Sequence, residues 1–288
     1  LRISHTQILG DSMKPEDFEK ISYQVSRGVA LVTLNNPDRR NAWGGRMSVE
    51  YRWSLYNAHL DDGVRVVVVT GSGADFCVGA DSKELNSIES AGGQYQKSRL
   101  DLPPYPENTP EQFRRNHAYP LCISKPVIAA VNGSCAGVGF IVASYADLRF
   151  GADNNIIKSA FARLGLPAEY GLGWILPKIM GSSNALQILL DGDRIDGAEA
   201  CRLGWLQKIF PPEELLEKTV DYATRLAMES SRFSMACIKR QVNFDAEGDF
   251  SAAYTRSVED MNAAIKLPDF KEGLRALKEK RATNFLDI

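Results

Sequence analysis

The sequence has few cysteines and histidines, and neither residue type is clustered. Its five cysteines form an odd, scattered set without a Cys-x-x-Cys pair, and its three histidines lie far apart. This distribution argues against a disulfide framework and against a zinc site. It fits a reducing compartment, so we predict a cytoplasmic protein without a metal centre.

The sequence also lacks an excess of charge and a long apolar run. Its 34 basic and 36 acidic side chains nearly cancel and are interspersed, which gives no indication of a nucleic-acid or membrane-surface partner. No apolar run reaches the length of a membrane span, and the first residues lack a signal-peptide pattern. With 288 residues, of which 44% are hydrophobic, the chain can bury one large core or a core with a helical appendage. We expect residues 1–18 to be an N-terminal tail.

The most informative stretch of the sequence spans Lys125–Asp147. A buried strand is predicted at Val127–Val131, because this run is short, apolar and rich in β-branched residues. A glycine-rich turn follows, and the apolar run that begins at Val138 has the length and spacing of a buried helix. A strand, a glycine turn and a helix start in this order direct unpaired backbone N–H groups at one place, where they stabilise negative charge.

Three uses of this turn are open from the residues alone. The spacing of Gly133, Gly137 and Gly139 matches a dinucleotide-binding turn, although no tyrosine in the chain has the lysine four residues later that short-chain reductases carry. The turn can instead supply an oxyanion hole that holds a thioester oxygen as it becomes an enolate. The glycines can also serve close packing alone.

Two motifs together favour the oxyanion hole. The segment KPVIAAVNG at 125–133 and the segment FCVGAD at 76–81, about 45 residues apart, resemble the enoyl-CoA hydratase/isomerase family, also called the crotonase family. The resemblance extends from about Ile21 to Phe285. It implies an α/β fold, a crotonase-type spiral of β-β-α units with a helical C-terminal region. Residues 19–210 would form the core with the CoA and acyl sites, and residues 211–288 would form the helical region, which in the family packs against neighbouring subunits as a homotrimer or a dimer of trimers.

Local patterns predict several elements of this fold. Alternating apolar residues at 19–26 and 28–34, joined by Arg27-Gly28, predict a β-hairpin at the sheet edge. The unbroken β-branched run at 64–70 predicts a buried parallel strand. A helix start at Thr109-Pro110-Glu111 predicts a helix over 113–121. The polar, proline-rich interval 85–123 is interpreted as a lid that shapes the acyl pocket or as a disordered insert.

The resemblance also implies a substrate-binding site. Backbone N–H groups of Ala80 and Val138 would form the oxyanion hole. Coenzyme A, as part of the substrate and not as a tightly bound cofactor, would contact six residues: Arg40, Ala42, Asp81, Ser82, Lys83 and Lys278. A solvated role is equally open for Arg40 and for the lysine-rich helix that carries Lys278.

Proton transfer is assigned to Glu169. Hydratases of the family use two carboxylates, whose positions in this chain hold Ile141 and Phe161, and neither side chain can transfer a proton. Glu169 lies where some isomerases of the family carry a carboxylate, and the acyl pocket is predicted from Ile141, Phe161 and Trp174. The leading hypothesis is therefore double-bond isomerisation of an enoyl-CoA. Hydration or hydrolysis through Glu169 and a water is the alternative, and a non-catalytic acyl-CoA binder is a hypothesis of another class.

Overall fold

The computed structural model describes residues 13–82 and 100–285. The strands in these ranges are β1 Ile21–Ser26, β2 Val29–Leu34, β3 Val66–Gly71, β4 Val127–Val131, β5 Ser134–Ala136, β6 Leu148–Ala152, β7 Ile156–Lys158 and β8 Lys208–Phe210. The helices are α1 Gly45–Leu60, α2 Tyr119–Cys122, α3 Val138–Ser144, α4 Leu172–Met180, α5 Ser182–Asp191, α6 Gly197–Arg202, α7 Leu215–Glu229, α8 Arg232–Asn243, α9 Phe250–Ala264 and α10 Pro268–Glu279. Among these described residues, no helix is long and apolar enough to cross a bilayer.

The main sheet has the order β1-β2-β3-β4-β6-β8. Strands β1 and β2 pair antiparallel at one edge, and every later pair in this sheet is parallel. The hairpin prediction is confirmed. Its two turn residues, Arg27 and Gly28, both have positive φ angles of 48° and 76°, as a tight two-residue hairpin turn requires. A separate parallel pair is formed by β5 and β7.

The sheet is covered on both faces. All six residues of β3 are buried, and they alternate between two cores, with Val67 and Val69 in the larger core and Val66 and Val68 in the smaller one. This alternation is the period-two geometry of a strand. The larger core includes residues of α1 and α3, whereas the smaller core is closed by α7. Helix α7 thus completes the core. It belongs to residues 211–288, which the sequence analysis predicts to form a separate helical region.

The predicted helix over 113–121 is wrong. The structure has a short 3₁₀ turn at Glu111–Phe113 and then the four-residue helix α2. Pro120 cannot lie inside a helix that begins at 113, and it stands instead in the first turn of α2. Before it, the buried guanidinium of Arg52 donates to Asn116 Oδ1 at 2.7 Å and to the carbonyl of Pro103 at 2.9 Å. The same guanidinium lies 4.7 Å from the ring centroids of two tyrosines, Tyr105 and Tyr119. These tertiary contacts give residues 103–119 an irregular path. Part of the predicted lid, residues 85–99, lies outside the described residues.

Candidate active site

The two glycine turns of the predicted site are hydrogen-bonded to each other. The turn after β3 reaches the turn after β4 through the N–H groups of Phe76 and Cys77, which both donate to the carbonyl of Ser134 at 3.1 Å. The N–H of Ala136 donates in return to the carbonyl of Cys77 at 3.0 Å. These bonds pair Cys77 with Cys135 as in a parallel sheet. The pairing fixes the register of the two turns.

That register brings two glycines into contact. A Cβ atom built on Gly137 would lie 3.6 Å from the Cα of Gly79, and both residues have positive φ angles, of 50° and 113°. Ala80 follows one glycine and Val138 follows the other. The two residues expected to donate to a substrate oxygen therefore follow directly from the point where the turns meet.

The N–H group of Ala80 is directed away from the neighbouring loop. Trp43 donates its N–H to the carbonyl of Gly79 at 2.7 Å and accepts from the N–H of Asp81 at 2.9 Å, which makes a parallel bridge to Ala80. In such a bridge the N–H of the residue between the two bonds points to the opposite side. Val138 is the first residue of α3, where a helix leaves its N–H unpaired. Neither N–H donates to an acceptor among residues 13–82 and 100–285.

The two arginines beside this site pair with carboxylates of the first turn. Arg40 donates to Asp75 through two nitrogens at 2.8 and 3.0 Å, and this pairing raises the pKa of Arg40 and lowers that of Asp75. Arg39 donates to Asp81 at 2.7 Å and to Ser82 Oγ at 3.1 Å. A phosphate of coenzyme A at Arg40 would therefore compete with Asp75, although the side chain of Arg40 is 59% exposed.

The structure places the other predicted CoA contacts in three different settings. Ala42 is buried in the loop that carries Arg39 and Arg40, and Lys83 lies outside the described residues. Lys278 is exposed on α10. The chain after α10 accepts a hydrogen bond from Arg65, which precedes β3, whereas Asp81 follows the other end of β3. A single chain thus does not bring Lys278 beside Arg40.

Glu169 lies on a turn that is fixed to helix α3. The next two residues, Tyr170 and Gly171, have positive φ angles of 47° and 81°. Tyr145, directly after the last residue of α3, donates its hydroxyl to the carbonyl of Tyr170 at 2.5 Å. The carbonyl of Glu169 accepts from the N–H of Leu172, the first residue of α4. One helix, α3, therefore begins at the predicted oxyanion donor Val138 and is followed by the tyrosine that holds the turn of Glu169.

The environment of Glu169 raises the proton affinity of its carboxylate. The side chain is half-buried, and burial raises its pKa above the usual 4.5. Within the described part of the chain, no hydrogen bond or ion pair stabilises the carboxylate. A half-buried carboxylate without a counter-charge has the raised proton affinity that suits a general base.

A cavity of about 860 Å³ lies beside this turn. It is lined by Tyr145, Tyr170, Gly171 and Trp174 and by the segment 112–118 with Leu121 and Glu247. The structure thus places Trp174 on the cavity wall. The other two predicted pocket residues, Ile141 and Phe161, are 0% and 3% exposed and pack in the larger core.

Sequence reasoning missed one residue of this cavity, His117. Its ring lies 4.0 Å, between centroids, from the ring of Tyr170, next to Glu169 in the chain. The scattered positions of the histidines argue against a metal site and give no signal for a role at the cavity. No periodic pattern marks His117, since the segment that carries it is irregular and owes its path to Arg52.

Comparison with known proteins shows the family and the fold of the chain. The profile of the family described as "Enoyl-CoA hydratase/isomerase" matches residues 24–287. A probable enoyl-CoA hydratase of Mycobacterium tuberculosis is 33% identical over 269 residues, covering 90% of each chain. The 1,2-epoxyphenylacetyl-CoA isomerase of Escherichia coli is 29% identical over 276 residues, 93% of this chain and 98% of the relative. A crystal structure of an enoyl-CoA hydratase subunit I from Geobacillus kaustophilus superposes with a TM-score of 0.78 at 27% identity, over 93% and 98% of the two chains.

Two glycines at equivalent helix positions test the contact between the turns. A Cβ atom on Gly139, the second residue of α3, would lie 2.2 Å from the carbonyl oxygen of Cys77, whereas one on Gly173, the second residue of α4, would meet no atom within 4 Å. We expect Gly139→Ala to lower the free energy of unfolding by about 1–3 kcal/mol, because the turns must separate. Gly173→Ala should be neutral or stabilising by up to about 1 kcal/mol. Urea denaturation followed by tryptophan fluorescence measures both, and equal effects would contradict the close contact.

Proposed function

The chain belongs to the enoyl-CoA hydratase/isomerase family and has the crotonase fold, and from this premise we propose that it shifts the double bond of an enoyl-CoA. The N–H groups of Ala80 and Val138 hold the thioester oxygen, and Glu169 carries the proton. In the proposed step, the carboxylate removes a proton from the α carbon of a 3-enoyl thioester and leaves a dienolate. The same carboxylic acid then returns the proton to the γ carbon, which yields the 2-enoyl thioester.

One observation carries this proposal. The two glycine turns are hydrogen-bonded and in contact, and the N–H groups of Ala80 and Val138 have no acceptor within the described residues. A thioester oxygen that gains negative charge is the acceptor such a pair of donors favours. Loss of one donor of this kind typically lowers the rate by about a hundredfold to a thousandfold.

The choice of isomerisation over hydration rests on side-chain chemistry. Ile141 and Phe161, at the positions of the two hydratase carboxylates, are apolar and buried, so they cannot hold a water. Moving a double bond needs one proton carrier and no water. Names in the family include both activities, a probable hydratase in M. tuberculosis and an isomerase in E. coli. Hydration or CoA-ester hydrolysis through Glu169 and a water is therefore the alternative function, and an acyl-CoA binder without turnover is the alternative of another class.

The binding of coenzyme A remains part of the proposal. We propose that it contacts the loop with Arg40 and Ala42 and the turn with Asp81 and Ser82 as part of the substrate, with no tightly bound cofactor. Because Lys278 is remote from this loop within one chain, a contact with it requires a second subunit. The contact of Lys83 and a cytoplasmic location stay predictions.

Glu169→Gln tests the assignment of the base. The amide cannot accept the α proton, so we expect the isomerisation rate of 3-enoyl-CoA to fall at least about a hundredfold, with binding of a saturated acyl-CoA unchanged. Glu199→Gln is the matched control, because Glu199 lies on the surface in α6 and pairs with Arg202. Full activity of Glu169→Gln would exclude Glu169 as the base.

Hydration of 2-enoyl-CoA by the wild-type protein at a rate comparable to isomerisation would favour the alternative.

The pH dependence gives a second test of Glu169. The reaction needs the ionised carboxylate, and burial raises the pKa of Glu169 above 4.5. The value of kcat/KM should therefore rise with pH and level off only above that raised pKa. The acid limb of the profile should thus lie at a higher pH than the pKa of an ordinary glutamate. The measurement is the kcat/KM profile for 3-enoyl-CoA, with circular dichroism to verify that the protein stays folded. An acid limb centred at or below pH 4.5 would contradict the assignment.

We also propose that the chain assembles as a homotrimer or a dimer of trimers. Large apolar side chains are exposed on α9 and α10, including Phe250 at 82% and Leu277 at 77% exposed. Such groups of exposed apolar residues mark interaction surfaces. Sedimentation equilibrium should give three or six times the chain mass of 31.8 kDa, and Phe250→Glu should lower that value. A monomer mass for the unmodified protein would disprove the assembly.

A further inference from the structure

The cavity lies at the far end of α3 from the proposed oxyanion hole. Val138 begins the helix, and Tyr145, which lines the cavity, directly follows its last residue. Seven residues at a rise of about 1.5 Å each place the two ends about 10 Å apart. An acyl group held at the oxyanion hole would therefore extend along α3 to reach the wall at Tyr145.

The cavity has the size and character of a site for a sizeable apolar group. Its volume of about 860 Å³ lies in the upper part of the usual range for small-molecule pockets. Aromatic rings contribute much of the wall, with Phe113 and Trp174 packed edge to face at 5.6 Å between centroids. A short acyl group such as a four-carbon chain would leave this space unfilled.

His117 is a half-buried polar residue of the wall. Its ring is stacked on Tyr170, and neither ring nitrogen hydrogen-bonds to a described residue. Burial lowers the pKa of His117 to about 4, so the imidazole is neutral near pH 7 and offers one donor and one acceptor. The half-buried imidazole can therefore hydrogen-bond a ligand group that enters the cavity.

The other polar residues of the wall are exposed or already paired. Gln112 and Arg115 are exposed. Asn116 uses its side-chain oxygen to accept from Arg52, and Glu247 is paired with Lys178. His117 is thus the polar residue of the wall that is half-buried and has no hydrogen bond among the described residues.

We propose that His117 is a specificity-determining residue that hydrogen-bonds an oxygen substituent on the distal part of a long or bulky acyl group. The substrate class is thus a long or bulky acyl-CoA that carries a hydroxyl or oxo group remote from the thioester. The inference rests on the proposed function for the position of the thioester. It concerns binding and assigns His117 no step of proton transfer.

The test compares saturated CoA thioesters with a hydroxyl group on one of carbons 6 to 10. Each is paired with the ester in which a methyl group replaces the hydroxyl, and calorimetry measures both dissociation constants. Because these esters have no double bond, their binding is measured independently of turnover. At one position at least, the wild-type protein should bind the hydroxyl ester about fivefold or more tightly than its methyl partner. No preference at any of the five positions would overturn the proposal.

Variants of His117 assign the preference to its ring. His117→Phe keeps an aromatic ring against Tyr170 but cannot hydrogen-bond, so the preference should vanish, whereas His117→Gln should retain part of it. His59→Phe is the matched control, since His59 lies on α1, contacts Ser124 and does not line the cavity, and it should leave the preference unchanged. A preference that survives His117→Phe would overturn the proposal. Normal turnover of 3-enoyl-CoA without the preference would refute this inference alone, and the preference without any turnover would refute only the proposed activity.

Discussion

The candidate site depends on a close approach of two backbone turns. Gly79, Gly137 and Gly139 let the turns after β3 and β4 meet without side chains between them, and at Gly139 a Cβ atom would overlap a carbonyl oxygen at 2.2 Å. Three backbone hydrogen bonds then fix the register. Two N–H groups with no acceptor among the described residues are the direct consequence, because each follows a glycine at the contact. Their value for chemistry comes from being held in place before a substrate arrives.

Ion pairs stabilise these turns, whereas Glu169 forms no ion pair with the residues that the structure describes. Arg40 and Asp75 form a double hydrogen bond that ties the loop before α1 to both turns, since Arg40 also donates to Ser134 Oγ at 2.9 Å. Glu169, in contrast, has no such counter-charge, and the hydrogen bond from Tyr145 fixes the backbone of its turn rather than its carboxylate. The turns of the site thus carry aspartates that are paired with arginines, whereas the pKa of the Glu169 carboxyl group is raised.

Much of the fold and part of the site could be predicted from local sequence. The strand at Val127–Val131, the start of α3 at Val138 and the edge hairpin follow from patterns that span fewer than twenty residues. The path of residues 103–119 could not be predicted this way. Its helix signal at Thr109-Pro110-Glu111 was local, but the buried guanidinium of Arg52, more than fifty residues earlier, determines the observed conformation.

The sequence by itself determined which groups can act: backbone donors after glycines, one carboxylate after Leu166-Pro167, and apolar residues where hydratases carry acids. Periodicity and residue chemistry suffice for such statements, because they depend only on near neighbours in the chain. Tertiary structure alone decided that Ile141 and Phe161 pack in the core, that Lys278 is remote from Arg40, and that His117 stacks on Tyr170 at a cavity wall. Those relations join residues far apart in sequence, and only the packing of the whole chain fixes the distances between them.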